Sequence, residues 1–227
     1  MAGITQAAED YLQVIYRLQK GDEAVGRVTT SLIADYMQVS PASVTNMVKR
    51  LAEMDLVART PYRGVELTEA GEAAALQSLR QHRLLELYLA ETLGYDWDRI
   101  HAEADRLEHA ISEEFEERID RILGRPSTGA HGESIPTKEG AISEPAYVRL
   151  SDLEPGRWAV IRRVSDRSAE MLRYLREMHL GLGTRLTVST REPFDGPLHL
   201  LANGGRRFAL GPEVARRIFV ELEPAQG

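Results

Sequence analysis

Apolar positions recur at helical spacing through the first half of the chain and alternate at strand spacing through the last third. Ala7, Tyr11, Val14, Ile15 and Leu18 line one side of a helix predicted over residues 4–20, and Gly21 ends it. Leu32, Ile33 and Tyr36 repeat that spacing behind the cap cluster Thr29-Thr30-Ser31. Ser40-Pro41 then opens another helix to Leu51, because serine caps a helix and proline suits its first position. Two short helices around a tight turn predict a helix-turn-helix. Met54-Asp55-Leu56-Val57-Ala58-Arg59 and Val65-Glu66-Leu67-Thr68 flank a Pro/Gly turn at Thr60–Gly64, which predicts a β-hairpin and so a winged helix. A long helix is predicted from Thr68 to about Thr92, and a second from Asp96 or Trp97 to Leu123. The apolar stripe of the second is Ile100, Ala104, Leu107, Ile111, Phe115, Ile119 and Ile122. Strands at Trp158–Val164, Thr184–Thr190, Leu198–Ala202, Phe208–Leu210 and Phe219–Glu223, with a helix at Ser168–Met178, predict a small β-barrel.

These elements predict a multidomain, mainly α fold. Residues 1–70 form a winged-helix DNA-binding domain, 71–125 a helical dimerisation and metal-binding domain, 126–146 a linker rich in small and turn-forming residues, and 147–227 the barrel. At 227 residues and 43% apolar composition the chain can bury real cores. It has no run of eighteen apolar residues, and Glu9 and Asp10 interrupt any signal peptide, so a soluble cytoplasmic protein without membrane partners is expected. The absence of cysteine excludes disulfides, zinc ribbons, thiol nucleophiles and iron–sulfur ligation. A net charge of −7 argues against a nonspecific nucleic-acid coat. Between Val39 and Gly64, however, Lys49, Arg50, Arg59 and Arg63 outnumber Glu53 and Asp55. Double-stranded DNA is therefore the expected partner, with Ser40, Ala42, Ser43, Thr45 and Asn46 facing it and the four bases on phosphates. The long helices carry more apolar surface than a winged helix needs covered, which points to a homodimer suited to paired half-sites.

His101, Asp105, Glu108 and His109 fall within an arc of roughly 100° on the second long helix, and His82 and Glu86 share i, i+4 spacing on the first. Imidazole and carboxylate are donors that Mn, Fe, Co or Zn accept. The bland alternative is a solvated helix face with i, i+4 ion pairs. Placement beside the apolar stripe favours the metal reading, since unpaired charge at a core border is costly. No phosphate loop, nucleophile elbow or dinucleotide fingerprint occurs.

Ala8-Glu9-Asp10-Tyr11-Leu12, Ser43-Val44-Thr45-Asn46-Met47-Val48, Tyr62-Arg63-Gly64-Val65-Glu66-Leu67-Thr68, His82-Arg83-Leu84-Leu85-Glu86, Leu107-Glu108-His109 and Glu192-Pro193-Phe194-Asp195-Gly196-Pro197 together resemble the diphtheria toxin repressor family of metal-dependent transcriptional regulators. The resemblance covers nearly the whole chain and implies an SH3-like terminal domain of the iron-transport accessory type. It also implies a metal-dependent repressor of metal-uptake genes, with primary ligands Asp10, Asp105, Glu108 and His109 and with His82 shared or adjacent. Ancillary ligands would be Glu86, His101, His131 and Asp166. Iron-responsive members have Met and Cys where Asp10 and Asp105 stand, so the resemblance is to the manganese-responsive branch, with Mn(II) the expected metal and Fe(II) a possible one. Two departures stand out: Gln13 replaces a carboxylate of some manganese-branch members, and Gly129-Ala130-His131-Gly132 keeps only the His and Gly of a family Cys-Pro-His-Gly stretch. Two other readings stay open from the residues alone. One is a non-haem metalloenzyme using His101, Glu108 and His109, and the other is a winged-helix regulator of an organic ligand.

Overall fold

A computed structural model describes residues 4–21, 24, 27–60, 64–143 and 145–224. The first helix, α1 (Gln6–Lys20), buries Tyr11, Leu12, Ile15 and Leu18, as its period requires. The helix-turn-helix follows as α2 (Thr30–Met37) and α3 (Pro41–Glu53). Thr29 caps α2 by accepting from the Leu32 amide, and Ser40 caps α3 by accepting from that of Ser43. Val44, Val48 and Leu51 turn α3's apolar side inward, each with no exposed surface. The wing is an antiparallel pair, β1 (Val57–Thr60) and β2 (Gly64–Leu67). Gly64 has φ +93°, and a Cβ there would stand 2.2 Å from the Val28 carbonyl oxygen, so only glycine fits. The Thr68 hydroxyl accepts from the Gly71 amide and caps α4 (Glu69–Glu91).

The second long helix is not continuous. Instead, α5 (Ile100–Leu107) stops, Glu108–Ala110 form a turn, and α6 (Glu113–Ile122) begins afresh. Ser112 caps α6 through the Phe115 amide, and Glu113, Glu114 and Glu116 complement the positive end of its dipole. The apolar spacing runs on across the break and disguises it.

The segment read as a linker is buried from His131 to Pro136. It is a tight loop in which the Gly129 amide donates to the Glu133 carbonyl at 2.8 Å. Beyond it lies a six-stranded antiparallel sheet: β3 (Val148–Arg149), β4 (Trp158–Val164), β5 (Arg185–Arg191), β6 (Leu198–Ala202), β7 (Arg206–Leu210) and β8 (Ile218–Leu222), in the order β3-β8-β4-β5-β6-β7. With α7 (Ala169–Glu177) and the short α8 (Pro212–Ala215) it encloses a core that includes Ile161, Leu172, Leu186, Leu200 and Val220.

By contacts the chain divides into two compact units. The first is Met1–His82 with Glu108–Ala110 and Pro136–Ala141; the second is Arg83–Leu107, Ile111–Ile135 and Ile142–Gly227. The second unit thus joins helical segments to the sheet domain, and buried Asp98 accepts from Arg173 at 3.2 Å and from Arg176 on α7. No helix among the described residues is long and apolar enough to cross a membrane.

Candidate metal centres and nucleic-acid interface

The four-residue helix face does not form, because α5 ends before Glu108. Glu108 and His109 belong to the first unit, and His101 and Asp105 to the second. Two groups of candidates each lie within one unit.

In the first unit the turn that follows α5 carries Glu108 and His109, and α1 carries Asp10. His109 Nε2 lies 3.3 Å from Asp10 Oδ1 and 3.3 Å from Glu108 Oε1. His109 Nδ1 donates to Glu9 Oε2 at 3.0 Å. In the neutral ring that bond places the proton on Nδ1 and turns the Nε2 lone pair toward two carboxylate oxygens. Three acceptors converging in this way form a set that a divalent cation fits. His82, with 1% of its surface exposed, donates from Nδ1 to Glu108 Oε2 at 2.7 Å and holds that carboxylate. Glu9 went unrecognised in the sequence as the residue that orients His109, although it adjoins Asp10. Gln13, noted for its missing carboxylate, donates to Ser78 Oγ at 2.7 Å and serves packing.

In the second unit Glu86, buried on α4, accepts at Oε1 from His101 Nδ1 at 2.9 Å. His101 also lies 3.9 Å from Asp166 Oδ2 and 3.9 Å from the exposed Asp105. The opposite oxygen of Glu86 stands 4.0 Å from His131 Nδ1. His131 is fully buried and stacked on Trp97, with ring centroids 5.2 Å apart. Glu133 was missed in the sequence; it is a buried acid whose pKa is raised first by desolvation and then by Glu86, against the opposing pull of His131 and Arg83. Its only sequence signal was its position two residues beyond His131.

Ser40, Ala42, Ser43, Thr45, Asn46, Lys49 and Arg50 are all exposed along the outer side of α3. The Ser40 and Ser43 hydroxyls lie 2.8 Å apart within the cap, and the Thr45 hydroxyl donates back to the Pro41 carbonyl at 2.9 Å. Asn46, Lys49 and Arg50 are thus the long polar side chains available outward. Arg63 and the side chain of Arg59 lie outside the described residues.

A winged helix with an exposed polar recognition face, followed by His/carboxylate centres, defines a metal-regulated DNA-binding protein, and comparisons with known proteins agree. Residues 3–65 match the iron dependent repressor N-terminal DNA binding domain, 68–137 the iron dependent repressor metal binding and dimerisation domain, and 148–222 the FeoA domain. The iron-dependent repressor IdeR of Mycobacterium tuberculosis is 30% identical over 97% of this chain and 99% of its own length. A manganese-dependent transcriptional repressor solved in complex with manganese superposes with a TM-score of 0.88 at 36% identity, covering 95% of this chain and 100% of that one. The manganese regulator SloR follows at 0.80 and 32%, covering 97% and 100%. The chain belongs to the iron-dependent repressor family, which includes the diphtheria toxin repressor. It is a metal-dependent transcriptional repressor of metal homeostasis and not an enzyme.

Proposed function

We propose that this repressor senses Mn(II), with Fe(II) as a substitute, and controls metal-uptake genes by binding an operator in duplex DNA as a cytoplasmic homodimer. The observation that carries this is the donor set of the first centre: Asp10, Glu108 and His109 offer oxygen and nitrogen and no sulfur. Such a set suits manganese better than a thiolate or thioether set would. Similar proteins solved as manganese-dependent repressors support the same metal.

The primary centre is proposed as Asp10, Glu108 and His109, with Asp105 and His82 as the further candidates that the family resemblance supplies. The second is proposed from Glu86, His101, His131 and Asp166. The domain division 1–70, 71–125, 126–146 and 147–227 stands as part of this proposal.

A cation at the first centre neutralises the carboxylates that converge on His109. Glu9 then keeps the His109 ring turned toward it and His82 keeps Glu108 in place. Asp10 ties α1 to the turn at Glu108–Ala110, and because α1 packs on α2 and α3, its position bears on the recognition helix. Metal binding thereby favours the arrangement of α1 to α3 competent for DNA, by as much as its affinities for the two arrangements differ.

The test is operator affinity measured anaerobically with and without saturating Mn(II) or Fe(II), for the wild type and Asp10→Ala. Allosteric coupling of about 1–3 kcal/mol predicts that metal tightens wild-type binding by roughly 5- to 150-fold and that of Asp10→Ala far less. No response to either metal in the wild type defeats the sensor reading, and full response in Asp10→Ala removes Asp10 from it.

A further inference from the structure

We propose that Gln19 positions the wing: its side-chain carboxamide completes the outer edge of β2, so that a cation held near the other end of α1 bears on the wing's contact with DNA as well as on the recognition helix.

Gln19 is the penultimate residue of α1, nine positions beyond Asp10. At 1.5 Å per residue the two lie about 13 Å apart along one helix. Tyr11, Leu12, Ile15 and Leu18 are buried between them, so the helix is seated along its length. It packs on β2 as well as on α2 and α3.

Strand β2 needs partners on both sides. Toward β1 it is paired in register, with Ala58 opposite Glu66 and Thr60 opposite Gly64. On the outer side the Val65 amide donates to the Val28 carbonyl at 2.9 Å. Two positions on, the Leu67 amide donates to Gln19 Oε1 at 3.2 Å, while Gln19 Nε2 reaches the Val65 carbonyl at 3.5 Å. A neighbouring strand would present a carbonyl and an amide to these same groups, and the carboxamide offers both from one side chain. The reverse orientation would set an N–H group against the Leu67 N–H, so only this one serves both. Glutamate would keep the bond to Leu67 but turn a second acceptor toward Val65, and methionine would make neither bond.

The edge matters because a two-stranded hairpin is marginal by itself in water. Val28 and Gln19 hold the root of the wing, and across the hairpin Arg59 stands opposite Val65. Arg59 and Arg63 are the bases expected on phosphates. Helix α1 therefore carries Asp10, and the Glu9 that orients His109, toward one end and the anchor of the wing at the other. A cation that fixes α1 at Asp10 fixes the wing through Gln19. All of these residues belong to the first unit.

This inference rests on the metal-sensor reading for its signal, and its test separates the two. Operator affinity of the full-length wild type, Gln19→Met and Gln19→Glu is measured over a range of salt, with and without saturating Mn(II). Mn(II) binding without DNA is followed by equilibrium dialysis, and Arg59→Ala/Arg63→Ala is studied alone and combined with Gln19→Met. Gln19→Met should bind Mn(II) as the wild type does. It should flatten the slope of log affinity against log salt by up to about two units, toward that of Arg59→Ala/Arg63→Ala. It should also cut the Mn(II)-induced gain in operator affinity by at least about threefold. Gln19→Glu, which keeps the Leu67 bond, should fall between the two. Added to Arg59→Ala/Arg63→Ala, Gln19→Met should change the slope no further, because both act on one set of contacts. A Gln19→Met protein that melts lower yet keeps the wild-type slope and Mn(II) gain makes Gln19 a packing residue and overturns the proposal. An equal loss in both backgrounds overturns it too, as does a wild-type slope in Arg59→Ala/Arg63→Ala. Circular dichroism reports folding, and where Gln19→Met fails to fold, Gln19→Glu decides by the same measures. A wild type whose operator affinity ignores Mn(II) defeats the sensor reading, and the slopes alone then decide whether Gln19 holds the wing.

Discussion

His109 shows how one proton position decides what a site can hold. Its Nδ1 proton is committed to Glu9, 3.0 Å away, and its Nε2 is therefore available beside Asp10 and Glu108. A carboxylate behind a ligating histidine fixes the tautomer and raises ligand basicity, and losing such a partner typically weakens metal binding about 10- to 100-fold. Glu9→Gln should therefore reduce Mn(II) affinity at the first centre within that range while the helical circular dichroism is unchanged. An isotherm equal to wild type would make Glu9 a bystander. Asp10 was legible in the sequence because the surrounding stretch resembles the family; the role of Glu9 was not, because orienting bonds depend on a partner a hundred positions away.

The winged helix was legible at the scale of elements because its signals are local: Ser40-Pro41 starts α3, and Val57–Thr60 and Gly64–Leu67 pair as the wing strands. Gly64 is where local and tertiary requirements meet. Gly64→Ala combines positive-φ strain, of the order of 1–3 kcal/mol, with collision against the Val28 carbonyl, and should lower the urea midpoint correspondingly. An unchanged midpoint would mean that the Val28 segment yields. On the DNA side, replacing Lys49 and Arg50, or Arg59 and Arg63, by alanine should flatten the slope of log affinity against log salt by up to about two units, alike for all sequences. A slope unaffected by either pair removes that pair from the phosphate contacts. The helix expected from Asp96 or Trp97 to Leu123 was misread because spacings of four from Leu107 to Ile111 and from Ile111 to Phe115 persist through the turn. Ser112, followed by three acids within the next four residues, was the overlooked start signal.

For the whole molecule, assembly is the remaining question. Phe115 and Ile122 are 44% and 66% exposed in the single chain and lie seven residues apart on α6. The metal binding and dimerisation model covers them. Phe115→Glu with Ile122→Glu should cost the isolated chain little, since both side chains already meet water, yet convert a dimer to monomers by sedimentation equilibrium. A dimer persisting in the double variant moves the interface elsewhere. Residues near in sequence, and patterns that repeat over a few turns, determined the winged helix, the long first helix of the middle region and the terminal strands, and composition determined the exclusion of thiolate from any metal site. That legibility has a physical basis: caps, periodicity and donor chemistry act over a few bonds. Tertiary structure alone decided that His101 lies beside Glu86 while His109 lies beside Asp10 and Glu108, that His131 is buried rather than solvated, and that Glu133 lies near it. Those outcomes depend on where the chain breaks and doubles back, and so on burial and long-range hydrogen bonds that no local spacing encodes.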